Sequence, residues 1–252
     1  MNTMSCLKGK PLSLTVLDYG LFKVHANGRV IGISGFLIRT EAGERVLVDT
    51  GFPAKYAHDI ATSAREDRLG EFGEVLRLEP ENLPDGQLAT MGLAPADIDL
   101  LILTHSHIDH VGGIADFPGV PIVMAAAERA LPKPLYWGAV QPLDWPMAEY
   151  RLIEGDTEIG PGFHLLAAPG HAPGQLAIML DLPKTGAVLL TSDAISRPAE
   201  IDDGFAGSAD PARARESAAR LMALAEQSGA FVIYGHWPEQ WPELRKAPQT
   251  YD

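Results

Sequence analysis

Short apolar runs with interspersed polar positions dominate the first fifty residues. Four such runs are separated by glycine, asparagine or acidic turns, a pattern typical of strands in a sheet. The predicted strands are Leu12–Asp18, Phe22–His25, Ile33–Arg39 and Arg45–Asp49. Helical composition follows over Ala54–Glu66, and residues 67–92 are then mixed and interrupted by glycine and proline. The pattern predicts a strand-rich N-terminal region, a first helix and a long excursion.

The rest of the chain again places strands before a helix. Further strands are predicted at Asp99–Thr104, Pro121–Ala125, Arg151–Ile153, Phe163–Ala168, Gln175–Leu182, Ala187–Thr191 and Phe231–Gly235. The first and last of these are expected to be buried, because their residues are almost all apolar. The strongest helix is Pro211–Gln227, with Asp210 as its N-cap and Gly229 just past its end. This order predicts an α/β fold in which two β-plus-α halves pack sheet on sheet, with the helices outside.

Length and composition narrow the class of protein. The chain has 252 residues, a length that suits one large α/β domain, and we expect residues 1–252 to form a single domain. Apolar residues make up 46% and charged residues 21%, which argues against disorder or coiled coil. The net charge of −13, from 20 basic and 33 acidic residues, argues against a nucleic-acid or anionic-membrane partner.

Cysteine content and hydropathy indicate the compartment. Cys6 is the single cysteine, which excludes an intrachain disulfide and a cysteine-rich zinc module. The sequence shows neither an apolar run of about 18 residues nor a secretory pattern near Met1. We therefore expect a cytoplasmic protein without a membrane partner.

The densest chemistry follows the predicted strand Asp99–Thr104. Three histidines and one aspartate lie there within six residues: His105, His107, Asp109 and His110. Neutral imidazole and carboxylate are ligands that zinc and similar metals prefer. His105 and His107 alternate at a strand end and point the same way, whereas the other two come from the turn. One tight loop can thus serve two metal ions.

Four groups cannot fill two coordination spheres, so more ligands are expected at other strand ends. Three candidates each come shortly after a predicted strand: His171, Asp193 and His236. In layered α/β proteins, functional groups gather at the carboxyl ends of strands. The joint pattern therefore predicts one shared site.

These motifs resemble those of the metallo-β-lactamase superfamily. The matching segments are Leu47-Val48-Asp49-Thr50-Gly51, His105-Ser106-His107-Ile108-Asp109-His110, Pro169-Gly170-His171, Ser192-Asp193 and Gly235-His236. They span residues 47–236, most of the chain. The resemblance implies a four-layer αββα sandwich, which is the fold class expected here.

The resemblance also implies roles for these residues. One metal is then held by His105, His107 and His171, and a second by Asp109, His110 and His236. Asp193 and a hydroxide bridge the two metals, and Asp49 braces the metal loop by hydrogen bonding. The implied cofactors are two divalent ions, with zinc expected and iron, manganese or cobalt as alternatives.

A site of this kind is suited to hydrolysis. Two metals lower the pKa of bound water enough to provide hydroxide at neutral pH. A metal also polarises the substrate oxygen and stabilises the developing oxyanion. Asp109 is the expected catalytic residue, because a carboxylate beside the metals can pass a proton to the leaving alkoxide. No serine or cysteine nucleophile is needed, and Cys6 is expected to be a bystander.

Within the superfamily, the chain is similar to the N-acyl-homoserine lactone lactonases, the quorum-quenching family, and to the related 4-pyridoxolactonase. The supporting features are the chain length, the strand-rich segment before Val48-Asp49-Thr50-Gly51, the segment Leu152-Ile153-Glu154-Gly155-Asp156 and the tail that begins at Gly235. The thioesterase, nuclease, flavodiiron and secreted β-lactamase branches carry extra domains, ligands or signals that the sequence is not expected to supply. The resemblance also suggests a homodimer.

Two positions depart from the lactonase pattern. Trp237 follows His236, where the family often has an aspartate, and the other departure concerns a hydrogen-bond donor. In that family a tyrosine three residues after the bridging aspartate hydrogen-bonds the substrate carbonyl, and Ser196 stands there in this chain. Tyr136, Tyr19 and Ser196 itself are open as replacement donors. The proline-rich loop 132–149 supplies Tyr136, Trp137 and Trp145, which either wall an apolar substrate cleft or pin the loop to the core.

The sequence thus predicts a dinuclear metal hydrolase that opens a lactone ring by attack of the metal-bridging hydroxide. N-acyl-homoserine lactones are the leading class of small-molecule substrate. One alternative is hydrolysis of another ester, thioester or amide at the same site. The other is a metal-binding sensor without turnover.

Overall fold

Two β-sheets packed face to face form the centre of the computed structural model, which describes residues 1–137 and 140–252. The strands are β1 (Asn2–Thr3), β2 (Pro11–Val24), β3 (Val30–Thr40), β4 (Arg45–Val48), β5 (Gly73–Arg77), β6 (Leu100–Ile102), β7 (Ile122–Ala125), β8 (Tyr150–Ile153), β9 (Thr157–Gly160), β10 (Phe163–Ala167), β11 (Leu176–Leu182), β12 (Gly186–Ser192) and β13 (Phe231–Tyr234). In these residues the first sheet has the order β5-β2-β3-β4-β6-β7-β8, and the second β1-β9-β10-β11-β12-β13. The pairs β4–β6 and β12–β13 are parallel, so their carboxyl ends meet at a common edge.

Helices cover the outer faces of the sheets. They are α1 (Lys55–His58), α2 (Ile60–Glu66), α3 (Pro84–Ala89), α4 (Ile108–Val111), α5 (Ala126–Arg129), α6 (Ala199–Asp203) and α7 (Pro211–Ser228). The predicted caps of α7 are confirmed, and the helix ends one residue later than predicted. Asp210 accepts hydrogen bonds from the first turn, and Gly229 ends the helix at φ 65°. No helix in the part of the chain that the structure describes is long and apolar enough to cross a membrane.

Alternation along the central strands explains the layers. In β6, Leu100 and Ile102 face the apolar cluster between the two sheets. Leu101 faces a second apolar cluster, on the outer side of the same sheet. In β12, Leu189 faces outward onto Leu221 of α7. Each sheet is therefore buried on both faces, which confirms the four-layer αββα sandwich.

Two predictions in the N-terminal region are wrong in detail. The strands expected at Leu12–Asp18 and Phe22–His25 form one long strand, β2, whose register against β3 shifts between Asp18 and Leu21. The helix expected over Ala54–Glu66 is two helices, because Asp59 adopts an extended backbone and caps α2 through Thr62 N.

Other differences come from long-range pairing. Residues 67–92 contain β5, which pairs with β2, and α3, neither of which was predicted. β9 and α6 were also missed. The last strand, expected to be buried, is an edge strand in which Phe231 is 38% exposed and Ile233 is buried.

Candidate metal centre

The structure brings the predicted ligand residues together at one edge of the two sheets. They come from loops that follow strands. β6 is parallel to β4, β12 is parallel to β13, and β10 runs in the same direction as β12 because both are antiparallel to β11. His105 lies after β6, His171 after β10, Asp193 after β12 and His236 after β13. All of them are buried except His171, which is partly exposed. The carboxyl ends of strands from both sheets therefore form a single site.

The first ligand group consists of three histidines. Nε2 of His105 and Nε2 of His171 each lie 3.0 Å from Nδ1 of His107. The ligand nitrogens of the three residues all lie within 4.8 Å of one another. This arrangement presents three imidazole nitrogens to one point, as a metal ion requires.

The second ligand group combines a carboxylate with two histidines. Oδ2 of Asp109 lies 3.6 Å from Nε2 of His110 and 3.6 Å from Nε2 of His236. His236 is oriented by its other ring nitrogen, which lies 3.0 Å from the carbonyl oxygen of Gly32. A hydrogen bond of this kind fixes the orientation of a metal-binding imidazole.

Asp193 lies between the two groups. Its Oδ2 is 3.5 Å from Nε2 of His171, and its Oδ1 is 3.5 Å from Nε2 of His110 and 3.2 Å from Nε2 of His236. The two oxygens of one carboxylate thus face different ligand groups. This is the geometry needed for a carboxylate that bridges two ions.

Unpaired polar atoms show whether the site fits metal ions. Within the described residues, four buried side-chain atoms of the predicted ligand residues have no hydrogen-bond partner: Asp109 Oδ1, His110 Nε2, Asp193 Oδ1 and His236 Nε2. Buried polar atoms almost always have a hydrogen-bond partner, so four unpaired atoms in one place indicate that a ligand normally binds there. The donors are imidazole and carboxylate, which borderline divalent metals prefer. The donor set therefore suits two metal ions.

The electrostatics of the first group favour neutral imidazoles. Burial, reinforced by the neighbouring histidines, lowers the pKa of His105 and of His107 well below the usual value. Burial also lowers the pKa of His171. Neutral imidazole is the form that binds a metal.

The second group attracts positive charge. Burial alone lowers the pKa of His110, but the carboxylates of Asp109, Asp193 and Asp49 outweigh it and raise the pKa to about 10. Burial is likewise outweighed at His236, where Asp193 and Asp109 raise the pKa. These carboxylates create a buried region of negative potential that a cation can neutralise.

Asp49 holds the ligand loop from behind. Its Oδ1 accepts a hydrogen bond from Thr104 N at 2.9 Å, and its Oδ2 accepts one from Thr104 Oγ1 at 2.8 Å. The same Oδ2 lies 2.8 Å from Nδ1 of His110. The structure therefore places this carboxylate against the ligand loop, where the expected brace would lie.

The ends of β12 and β13 approach each other closely behind Asp193. A Cβ atom at Gly235 would lie 2.4 Å from Ser192 O and 2.9 Å from Asp193 Oδ1. Ser192 itself has a φ of 46°, which is unfavourable for a residue other than glycine. Backbone strain here accompanies the placement of the carboxylate between the ligand groups.

A cavity of about 700 Å³ opens onto the ligand residues Asp109, His171, Asp193 and His236. Its apolar lining consists of Phe22, Val24, Ile31, Phe72, Trp137 and Phe205. Its polar lining consists mainly of Arg29, Ser196, Arg197, Glu200 and Asp203. A cavity with a large apolar part and a few polar groups suits a small organic molecule.

The expected pocket residues divide into two sets. Trp137 and Ser196 line the cavity, and the Trp137 ring lies 4.9 Å from that of His107. Tyr136 and Trp145 are not among the residues that line the cavity, which favours the alternative that they pin the loop to the core. The Tyr136 hydroxyl donates to Asp67 O, and Trp145 Nε1 donates to Leu131 O. Both side chains pin the loop to the core.

Two further residues of this region were missed from the sequence. Arg29 lines the cavity, and its Nε and Nη1 have no hydrogen-bond partner among the described residues. Glu128 is fully buried behind the ligand loops. Neither lies in a recognisable motif, so only the spatial arrangement reveals them.

Comparison with known proteins agrees with this geometry. Residues 28–236 match the family described as the metallo-beta-lactamase superfamily. N-acyl homoserine lactonase AiiA of Bacillus thuringiensis subsp. kurstaki is 33% identical over 221 residues, covering 85% of this chain and 84% of that protein. An N-acyl homoserine lactonase of Bacillus cereus is 34% identical over 219 residues, with coverage of 85% and 84%.

A solved structure is also similar. It is an N-acyl homoserine lactone hydrolase with the product N-hexanoyl-L-homoserine bound at its catalytic metal centre. Its TM-score to this chain is 0.82 at 27% identity, and the match covers 96% of this chain and 100% of that one.

Proposed function

The chain belongs to the metallo-beta-lactamase superfamily, and from this premise we propose that it is a metal-dependent hydrolase that opens the lactone ring of N-acyl-homoserine lactones. The observation that carries the proposal is the position of the ligand groups. They lie at the surface of a cavity that also has an extended apolar lining. Such a cavity can take an acyl chain while the ring rests against the ligands. The similar lactonases support the same substrate class.

We assign the metal-holding roles that the family resemblance implies. His105, His107 and His171 would hold one ion, while Asp109, His110 and His236 would hold the other. Asp193 would serve both ions, because one of its oxygens faces each group. Zinc is the proposed metal, since histidine and carboxylate sites commonly bind it.

Ring opening breaks the ring carbon–oxygen bond, adds the elements of water and leaves a carboxylate and an alcohol. When bound, two divalent ions supply Lewis acidity and make water ionise near neutral pH. Asp109 has a buried, unpaired Oδ1, and we assign it the transfer of a proton to the leaving alkoxide oxygen. The hydroxyl of Ser196, which lines the cavity, is the proposed donor to the substrate carbonyl oxygen.

The remaining candidates for that donor are engaged elsewhere. Tyr19 is fully buried, and its hydroxyl donates to Asp49 O at 3.4 Å. The hydroxyl of Tyr136 donates to Asp67 O at 2.6 Å. Ser196 is held in place through its backbone, which bonds to Glu200 Oε2 and to His236 N, and no side-chain partner occupies its hydroxyl among the described residues.

We also propose the domain organisation, the compartment and the oligomeric state of the protein. Residues 1–252 form a single domain, because one apolar cluster includes side chains from both sheets. The protein acts in the cytoplasm on a small molecule. It forms a homodimer, as the family resemblance suggests.

The test is ring opening across a panel of lactones by the zinc-loaded protein. The panel contains short- and long-chain N-acyl-homoserine lactones and simple γ- and δ-lactones, and acid release is measured. We expect rapid opening of the acyl-homoserine lactones, loss of turnover in Asp109→Asn and wild-type turnover in the exposed control Asp85→Asn.

The other outcomes separate the alternatives. If the protein binds two metals but opens no lactone, the lactonase proposal is wrong, and esters, thioesters and amides become the next panel. If no substrate in either panel turns over, the protein is better described as a metal-binding sensor.

A further inference from the structure

Glu128 is a carboxylate with 0% exposure that lies in α5, away from the cavity. No ion pair joins it to a lysine, arginine or histidine in the described residues. A buried carboxylate without a counter-charge is costly unless its oxygens are hydrogen-bonded. Its hydrogen bonds therefore indicate why the position is polar.

Those hydrogen bonds come from two different ligand loops. Oε1 of Glu128 accepts from Ser106 N at 2.9 Å and from Ser106 Oγ at 2.6 Å. Oε2 accepts from Gly174 N at 2.9 Å. Ser106 lies between His105 and His107, and Gly174 lies three residues after His171. One carboxylate thus ties together the loops that carry the first ligand group.

The network continues to the cavity wall. Ser106 Oγ donates to Glu128 and also accepts a hydrogen bond from Leu135 N at 3.0 Å. Leu135 lies two residues before Trp137, whose ring packs against His107. Glu128 therefore also fixes, through Ser106, the segment that supplies this aromatic wall.

The close approach of the second loop depends on Gly174. A Cβ atom at this position would lie 2.5 Å from Glu128 Cβ and 2.7 Å from Glu128 N. Any larger residue would push the loop away from the carboxylate. Glycine at position 174 therefore allows the backbone N–H of this loop to reach the Glu128 carboxylate.

We propose that Glu128 is a positioning residue that sets the spacing between the His105–His107 loop and the His171 loop, and so the geometry of the first metal site. The proposal rests on the proposed function in one respect, namely that these three histidines hold a metal ion. Glu128 touches neither substrate nor metal and acts through Ser106 and Gly174.

The first test replaces the carboxylate by its amide. Glu128→Gln keeps the shape, but one acceptor oxygen becomes an NH₂ group that faces a backbone N–H donor. We expect the affinity for zinc, measured by competition with a chelator, to fall by about 10–100-fold. The visible absorption spectrum of the cobalt(II)-substituted protein should also change, since it reports ligand geometry. Glu226→Gln, on the exposed face of α7, is the matched control and should alter neither.

Two more variants reach the same network without touching the carboxylate. Gly174→Ala separates the His171 loop from Glu128, and Ser106→Ala removes one of the two bonds to Oε1. Both should shift the cobalt spectrum in the same direction as Glu128→Gln. Glu128→Asp, which keeps a carboxylate, should bind zinc more tightly than Glu128→Gln and less tightly than the wild type. These variants decide the question if Glu128→Gln does not fold.

A purely structural role predicts a different result. It would lower the melting temperature of the metal-free protein but leave the zinc affinity and the cobalt spectrum of the folded variants as in the wild type. That result would overturn the proposal. Neither readout requires turnover, so a wild-type protein that opens no lactone would count against the lactonase function and leave this test intact.

Discussion

Nδ1 of His110 lies 2.8 Å from Oδ2 of Asp49, and both side chains are almost completely buried. The contact fixes which ring nitrogen of His110 faces the site: Nε2 is directed towards Asp109 and Asp193. Because Asp49 is itself held by two hydrogen bonds from Thr104, the strand end and the ligand ring form one rigid unit.

Replacing Asp49 by Asn should therefore weaken metal binding. The amide keeps one acceptor, but it cannot satisfy both Thr104 donors and Nδ1 of His110. We expect zinc affinity to fall by about 10–100-fold, measured by chelator competition, with a parallel loss of kcat. The matched control is Asp67→Asn, another buried and hydrogen-bonded aspartate that lies away from the ligands. Equal zinc affinities in the two variants would contradict the bracing role.

Ser196→Ala tests the donor to the substrate carbonyl. A hydrogen bond to a developing oxyanion contributes about 1.5–3 kcal/mol, so kcat should fall by at least about tenfold. Tyr136→Phe is the comparison, because its hydroxyl is bonded to Asp67 O and away from the cavity. That variant should keep kcat and lose about 1 kcal/mol in free energy of unfolding. Full activity in Ser196→Ala would mean that the donor is another group.

Trp137→Ala should change the dependence of KM on acyl-chain length. The side chain is 41% exposed and forms part of the apolar lining of the cavity. Its loss therefore removes contact area from the acyl chain of the substrate. Each methylene that loses its contact costs up to about 0.8 kcal/mol. KM should therefore rise more for N-decanoyl- than for N-butanoyl-homoserine lactone.

The control for this substitution is Trp145→Ala. Trp145 lies outside the cavity, donates to Leu131 O and packs with Arg129. Its loss should lower stability while the ratio of the two KM values stays as in the wild type. If both tryptophan variants change that ratio equally, the effect comes from the loop as a whole.

The ligand residues could be predicted because each follows an apolar run that folds as a strand. His105 follows β6 in one sheet and Asp193 follows β12 in the other, and the site forms where these strand ends of the two packed sheets come together. The choice between adjacent aromatic residues could not be predicted. Tyr136 and Trp137 lie in a loop without a regular period, so nothing in the pattern decides which of them faces the cavity.

Features that depend on contacts between distant parts of the chain also could not be predicted from the sequence. Glu128 binds residues 22 and 46 positions away, and no local pattern marks it as more than one polar residue in a short helix. β5 was missed for the same reason, since it is stabilised by pairing with β2 across a separation of about fifty residues. Tertiary contacts, and not local propensity, determine these features.

Tyr56 provides a prediction about stability that is independent of the metal site. Its hydroxyl donates to Asp67 Oδ2 at 2.9 Å, and the side chain is fully buried. Burial, together with this hydrogen bond and the charge of Asp67, raises the pKa of Tyr56 above its ordinary value of 10.0. In the unfolded chain the same phenol ionises near 10.

The sign follows from proton binding. Above pH 10 the folded protein keeps a proton on Tyr56 that the unfolded chain loses, so the stabilisation is complete below that pH and decreases as the pH rises. One such group lowers the free energy of unfolding by about 1.4 kcal/mol for each pH unit. Urea unfolding between pH 9 and 11 should show a steeper loss in the wild type than in Tyr56→Phe, which cannot ionise. Equal slopes for the two proteins would mean that Tyr56 ionises in the folded state as easily as in the unfolded one.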